Sequence, residues 1–198
     1  MGLLCMILSF PLADLLSVWN QELVSGGGGA IRDWIQKEAS RAERINGVFF
    51  SDHSMQGLWM NILVLGGIAA FSEELFFRGL VQETLRKNGL GNWGSVIAAA
   101  FIFSAFHLEF NNFLPIFFLG IVLGYLYMLT KNLWVSILGH FFNNTFLLVS
   151  LYFDKASNTS TVDDHVSIGW TVGSSVLMIL QFYVMRRYVM RFRTQSNK

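Results

Sequence analysis

The chain has 198 residues, 53% of them hydrophobic and 14% charged, with a formal net charge of +1 and a mean hydropathy of +0.47. Soluble domains average about 25% charged residues, so this is a membrane protein's composition, and the near-zero charge excludes the basic stripe of a nucleic-acid binder. The single cysteine, Cys5, excludes an intramolecular disulfide and a cysteine-based metal cluster and is expected as a small buried hydrophobe.

Residues 3–19 are apolar except for Asp14 and are interrupted by Pro11. The start Met-Gly-Leu-Leu-Cys lacks the basic region of a secretory signal, so the run is expected as a retained, short membrane helix, with Asp14 near the membrane surface rather than in a polar cavity. Gly26, Gly27, Gly28 and Gly29 lack the Gly-Lys-Ser/Thr ending of a phosphate loop and form a flexible joint. Residues 30–46 mix Ile31, Trp34, Ile35 and Ile45 with Arg32, Asp33, Lys37, Glu38, Arg41, Glu43 and Arg44, the pattern of a helix lying on a membrane or protein surface.

The apolar run at residues 57–72 predicts a helix that continues to Lys87 and breaks at Asn88-Gly89-Leu90-Gly91-Asn92. Further apolar segments cover residues 93–108, 113–130, 133–153 and 166–183, the last preceded by a polar stretch at 154–165 and followed by Arg186, Arg187, Arg191, Arg193 and Lys198. The expected fold is an all-α polytopic transmembrane helical bundle of about six membrane segments plus one interfacial amphipathic helix. It divides into an N-terminal part (1–56), a membrane core (57–153) and a C-terminal part (154–198). If the segments alternate, Arg86, Lys87, Lys131 and the C-terminal arginines share one side and Asp154, Asp163 and Asp164 the other, which makes the first side and both termini cytoplasmic.

Ionisable groups inside these segments ask for a reason, because each costs several kcal/mol in the bilayer unless paired or functional. In Phe71-Ser72-Glu73-Glu74-Leu75-Phe76-Phe77-Arg78-Gly79, Glu74 and Arg78 stand at i and i+4 and can pair on one helical face. Glu73 then points elsewhere, unpaired and free to act as a general base. Glu83 and Lys87 read as interfacial charges. Phe103 with His107, and His140 with Asn144, repeat the i, i+4 spacing on two other apolar helices. Polar groups on three membrane helices can satisfy one another only in the bundle interior, which points to a shared site. His53 and His165 fall in polar loops and are expected to play no part.

The set Glu73-Glu74-x-x-x-Arg78, Phe103-x-x-x-His107 and His140-x-x-x-Asn144 resembles the three motifs of the CPBP family, the intramembrane proteases that include type II CAAX prenyl endopeptidases and Abi-type bacteriocin-immunity proteins. The resemblance covers residues 57–152. It implies that Glu73 and His107 activate the water that attacks an amide, that His140 and Asn144 stabilise the oxyanion, and that Glu74, Arg78 and Phe103 support them. The chemistry is self-consistent, since amide hydrolysis needs a base, donors for the oxyanion and an acid for the leaving amine. Ser72 and Ser104 stand in no nucleophile-elbow pattern, so an acyl-enzyme is not expected. Expected partners are membrane-anchored or apolar, possibly prenylated, peptides and the lipid bilayer of a bacterial plasma membrane; no nucleic acid and no cofactor is expected. The alternatives are a zinc site on Glu73, His107 and His140, a non-catalytic immunity or scaffold protein, and a small transporter. Zinc is disfavoured because a metal-bound Glu73 could not also serve as the base. From the presumed cytoplasmic ends, about 1.5 Å per residue places His140 roughly 10 Å deep and His107 roughly 20 Å deep, a mismatch that tilt or a shifted helix start must absorb.

Overall fold

A computed structural model describes residues 2–49, 51–157 and 167–196. Asp163, Asp164, His165 and Lys198 lie outside the described residues, as do the side chains of Ile31, Glu43, Asp154 and Arg193. The described residues are helical throughout, with no strand. Helix α1 spans Gly2–Ser25 with Pro11 inside it, and α2 spans Gly29–Phe49. Residues 55–90 form α3, Gly91–Phe106 α4, Phe113–Thr130 α5, Leu133–Ser157 α6 and Ile168–Ser196 α7.

Five stretches are long and apolar enough to cross a membrane, one of them the 52-residue run Met55–Phe106. At about 1.5 Å per residue that run is far too long for one crossing of a core about 30 Å thick, and it folds back on itself. Asn88 and Gly89 leave helical geometry, Gly89 at φ 103°, a left-handed conformation that glycine reaches without strain. α4 then packs back along the second half of α3. This hairpin supplies two segments and makes the six expected. Large apolar side chains such as Trp59, Leu63, Phe101, Phe106, Trp170 and Leu177 face outward, as lipid contact requires. The chain is an integral membrane protein.

α3 is not uniformly α-helical. Its bonding widens to the i→i+5 pattern of a π-helix over Ile62–Ile68 and again over Leu75–Gln82, leaving the α-helical turn Ala69–Glu74 between them. π-segments are rare and concentrate at functional sites, and here they bracket the Glu-Glu pair. α1 packs on α5, α6 and α7, while α3 packs on α4 and α6. Cys5 and Met6 of α1 are buried against Val122, Leu123 and Leu126 of α5 and Met178 and Met185 of α7, so Cys5 is the apolar filler expected.

α4 and α5 approach closely because the contact is made of small residues. A Cβ on Gly120 would meet the Cβ of Ala100 at 3.1 Å, and one on Gly124 would meet Gln82 Oε1 at 2.9 Å. Gly120-x-x-x-Gly124 is thus the small-residue stripe by which membrane helices pack without a hydrophobic drive. It lets Gln82 Nε2 donate to the Gly124 carbonyl at 3.0 Å. At the end of the bundle nearest Asn88, Glu83 accepts from Arg86 at 2.8 Å and from Lys131 at 2.9 Å. Arg186 lines a crevice with Asn92 and Trp93 at the same end. Gly124→Val should therefore destabilise the bundle by about 1–3 kcal/mol through overpacking. Gly173→Ala, where an added Cβ meets nothing within 4 Å, should be neutral or slightly stabilising; detergent unfolding curves of the two variants check the contrast.

Candidate active site

The site is built outward from α3. Glu74 and Arg78 are both fully buried, with Arg78 Nε 3.0 Å from Glu74 Oε2, so the expected i, i+4 pair is in place. The guanidinium carbon lies 5.0 Å from the Phe103 ring centroid, a cation–π contact that helps offset the loss of water. None of the three Arg78 side-chain nitrogens, nor Glu74 Oε2, makes a hydrogen bond among the described residues, so the pair is an ionic contact, and the carboxylate and the ring balance the cation.

Glu74 has a second partner that helical spacing could not reveal. Its Oε1 lies 3.1 Å from His140 Nδ1 across the α3–α6 interface. A carboxylate beside Arg78 can only accept, so Nδ1 carries the proton and Nε2 turns the other way, to 3.8 Å from Glu73 Oε2. The same logic fixes His107. Its Nδ1 lies 2.8 Å from the Phe103 carbonyl one turn earlier and must donate to it, and its Nε2 also stands 3.8 Å from Glu73 Oε2. Two imidazoles, each held at Nδ1, thus aim their Nε2 atoms at one carboxylate oxygen. Both separations exceed the 2.7–3.2 Å of a direct hydrogen bond, and Glu73 Oε2 has no hydrogen-bond partner among the described residues. Although the depth estimates for His107 and His140 differ by about 10 Å, the two rings reach the same oxygen, so α4 and α6 are offset along the bundle.

Glu73, Phe103, His107, His140 and Asn144 line one cavity of about 570 Å³. Glu74 and Arg78 sit behind it. Asn144 Nδ2 donates to the Leu65 carbonyl at 3.0 Å, which uses one of its two N–H groups. Ser72 and Ser104 donate to backbone carbonyls, of Ile68 at 2.9 Å and of Phe113 at 2.7 Å, and neither lines the cavity. His53 stands apart from this cavity, beside Tyr152. Among the described residues no three His, Cys, Asp or Glu side chains are arranged to hold a metal ion.

The cavity also has walls that motif spacing did not predict. Asp14, expected near the membrane surface, lies midway along α1, Gly2–Ser25, and lines the cavity. Ser17, Glu109, Asn112 and Asn143 join it there. Asn143 was accessible as a neighbour of Asn144 in an apolar helix. Glu109 and Asn112 sit in a turn whose position depends on tertiary contacts.

An all-helical membrane bundle with an interior Glu/His cluster facing a cavity defines a class of polytopic membrane protein with an interior polar site. Residues 55–146 match the family model described as "Type II CAAX prenyl endopeptidase Rce1-like". The chain is also similar to "Uncharacterized protein YpbD" of Bacillus subtilis (strain 168), with 27% identity over 141 residues, 69% of this chain and 67% of that protein. No solved structure matches it.

The buried pair makes a stability prediction. Arg78→Met leaves Glu74 buried beside His140 without its strong cation, and should cost about 3–5 kcal/mol. Adding Glu74→Gln removes the stranded charge and should recover much of that loss. Chemical unfolding of the single and double variants in one detergent checks this, and equal stabilities would remove the pairing argument.

Proposed function

We propose that this protein is an intramembrane endopeptidase that hydrolyses peptide bonds of membrane-anchored or apolar peptides, using water activated by Glu73 and His107. The observation that carries the reading is the convergence of both imidazole Nε2 atoms on one Glu73 oxygen, 3.8 Å from each, at the wall of a cavity inside the bundle. In this reading the water gives its proton to Glu73 while His107 Nε2 orients it as acceptor, and the oxygen attacks the scissile carbonyl carbon. The tetrahedral oxyanion is met by the second N–H of Asn144 and by Nε2–H of a doubly protonated His140. Glu74 supports that imidazolium from the far nitrogen, and Arg78 holds Glu74. Collapse breaks the C–N bond, and the proton passes from Glu73 to the leaving amine.

A prenylated C-terminal segment falls within this substrate class. The proposed setting is a bacterial plasma membrane with both termini cytoplasmic, supported by the gathering of Arg86, Lys131 and Arg186 at one end of the bundle. We propose metal-independent hydrolysis, since a zinc ion on Glu73, His107 and His140 would take Glu73 out of the role of base.

The direct test incubates purified protein with membrane peptides and reads cleavage by mass spectrometry. Glu73→Gln should lower the rate by about 10²–10⁴ or more while the protein stays folded. Full function in that variant would favour a scaffold or immunity role for the same cluster. Chelation should leave cleavage unchanged; stoichiometric zinc whose removal abolishes the activity and whose return restores it would overturn the metal-free mechanism.

A further inference from the structure

Apart from its two histidines, the ionisable lining of the cavity is acidic. Asp14, Glu73 and Glu109 all line it, and no lysine or arginine among the described residues does. Arg78 is fully buried against Glu74, on the far side of the Phe103 ring. Asp14 is the more telling of the two acids that the mechanism does not use. It lies midway along α1, Gly2–Ser25, and neither it nor Glu109 has an ion-pair partner among the described residues.

The elements that carry the two acids are joined by a built connection. Glu109 follows His107 by two residues, across Leu108 in the left-handed region at φ 55°, a conformation uncommon outside glycine and concentrated near functional sites. α1 grips the turn that carries it. Asn20, which is buried, donates to the Phe110 carbonyl at 2.7 Å and accepts from Leu114 N–H at 3.0 Å. Ser17, one turn after Asp14, reaches Asn112 Oδ1 at 3.4 Å. The helix that carries Asp14 and the turn that carries Glu109 are therefore fixed to each other.

That this cavity receives a ligand rests on a separate observation. His140, only 5% exposed, lines it and turns an Nε2 without a hydrogen bond towards it. Phe10, Ile116, Leu119 and Phe146 form its apolar walls. These suit the methylene stem of a long basic side chain, whose charged tip then reaches the acids. Carboxylates on low-dielectric walls focus their field on a cation inside. The acids are not arranged with a third donor to bind a metal.

We infer that the peptide bound in this cavity carries a lysine or arginine within a few residues of the scissile bond, received by Asp14 and Glu109, and that a free carboxylate at that position is disfavoured. This specificity rests on the endopeptidase reading for its name but not for its test. The test measures binding in the Glu73→Gln protein, where turnover does not interfere, using three fluorescent membrane peptides that differ only in Lys, Gln or Glu at one position, scanned along the sequence. At one position the Lys peptide should bind roughly tenfold or more tightly than the Gln peptide, and the Glu peptide more weakly than either. Adding Asp14→Asn and Glu109→Gln should erase the Lys preference. Adding Asp14→Glu and Glu109→Asp, which keeps the charges, should preserve it and shows that the cavity tolerates substitution. Binding indifferent to peptide charge at every position, or a Lys preference that survives loss of both acids, overturns the inference. Wild-type protein then reports separately on the chemistry: a Lys peptide bound selectively but never cleaved contradicts the hydrolase and leaves the binding specificity standing.

Discussion

The buried contact between Arg78 and Glu74 is the interaction on which the rest of the site depends. Both side chains are fully buried, 3.0 Å apart, inside a bundle where no bulk water can screen them. Taken alone, such a pair contributes little net stability, because desolvation offsets most of the attraction. Its consequence is positional. A carboxylate paired with Arg78 is placed as an acceptor, so Glu74 can hold His140 at Nδ1, 3.1 Å away, and the opposite nitrogen of that ring is then aimed at Glu73. Phe103 links this chain to the second histidine, since its ring lies under the Arg78 guanidinium and its carbonyl accepts from His107.

This arrangement explains why two adjacent glutamates behave differently. Glu74 lies at the end of the α-helical turn Ala69–Glu74 and faces the packed α3–α6 interface. Glu73 is rotated by about 100° onto the cavity side, where its side chain is 31% exposed. The π-helical stretches on either side change the angular advance along α3 and place an interruption in its regular bonding at each flank of the motif. One turn of α-helix thus sorts one carboxylate into the structure and the other into the cavity.

Much of this was legible in the chain itself. The six membrane segments followed from apolar runs and the Asn88 to Asn92 breaker. Local pairs were legible because an i, i+4 spacing on a helix is a distance: Glu74 with Arg78, and Phe103 with His107, whose contact proved to be carbonyl to imidazole rather than ring to ring alone. What could not be read were relations between helices. The Glu74–His140 bridge joins residues 66 apart, so Glu74 looked like a counterion only, and Asn144 gave no sign that half of its amide is engaged by Leu65. The apolar run was ended at residue 19, whereas the helix runs on to Ser25 and Asp14 lines the cavity from its middle. Depth counted along isolated helices separated His107 from His140 because it took no account of offset between them.

The central claim is that the Arg78–Glu74 pair sets the protonation and direction of the His140 ring. Nitrogen-15 NMR of histidine-labelled protein tests this directly, because imidazole nitrogens that carry a proton resonate apart from those that do not. The account predicts a proton on His140 Nδ1 in the wild type, and its loss or its exchange with solvent in Glu74→Gln. A His140 whose Nδ1 is unprotonated in the wild type, or whose spectrum is unmoved by Glu74→Gln, would contradict it.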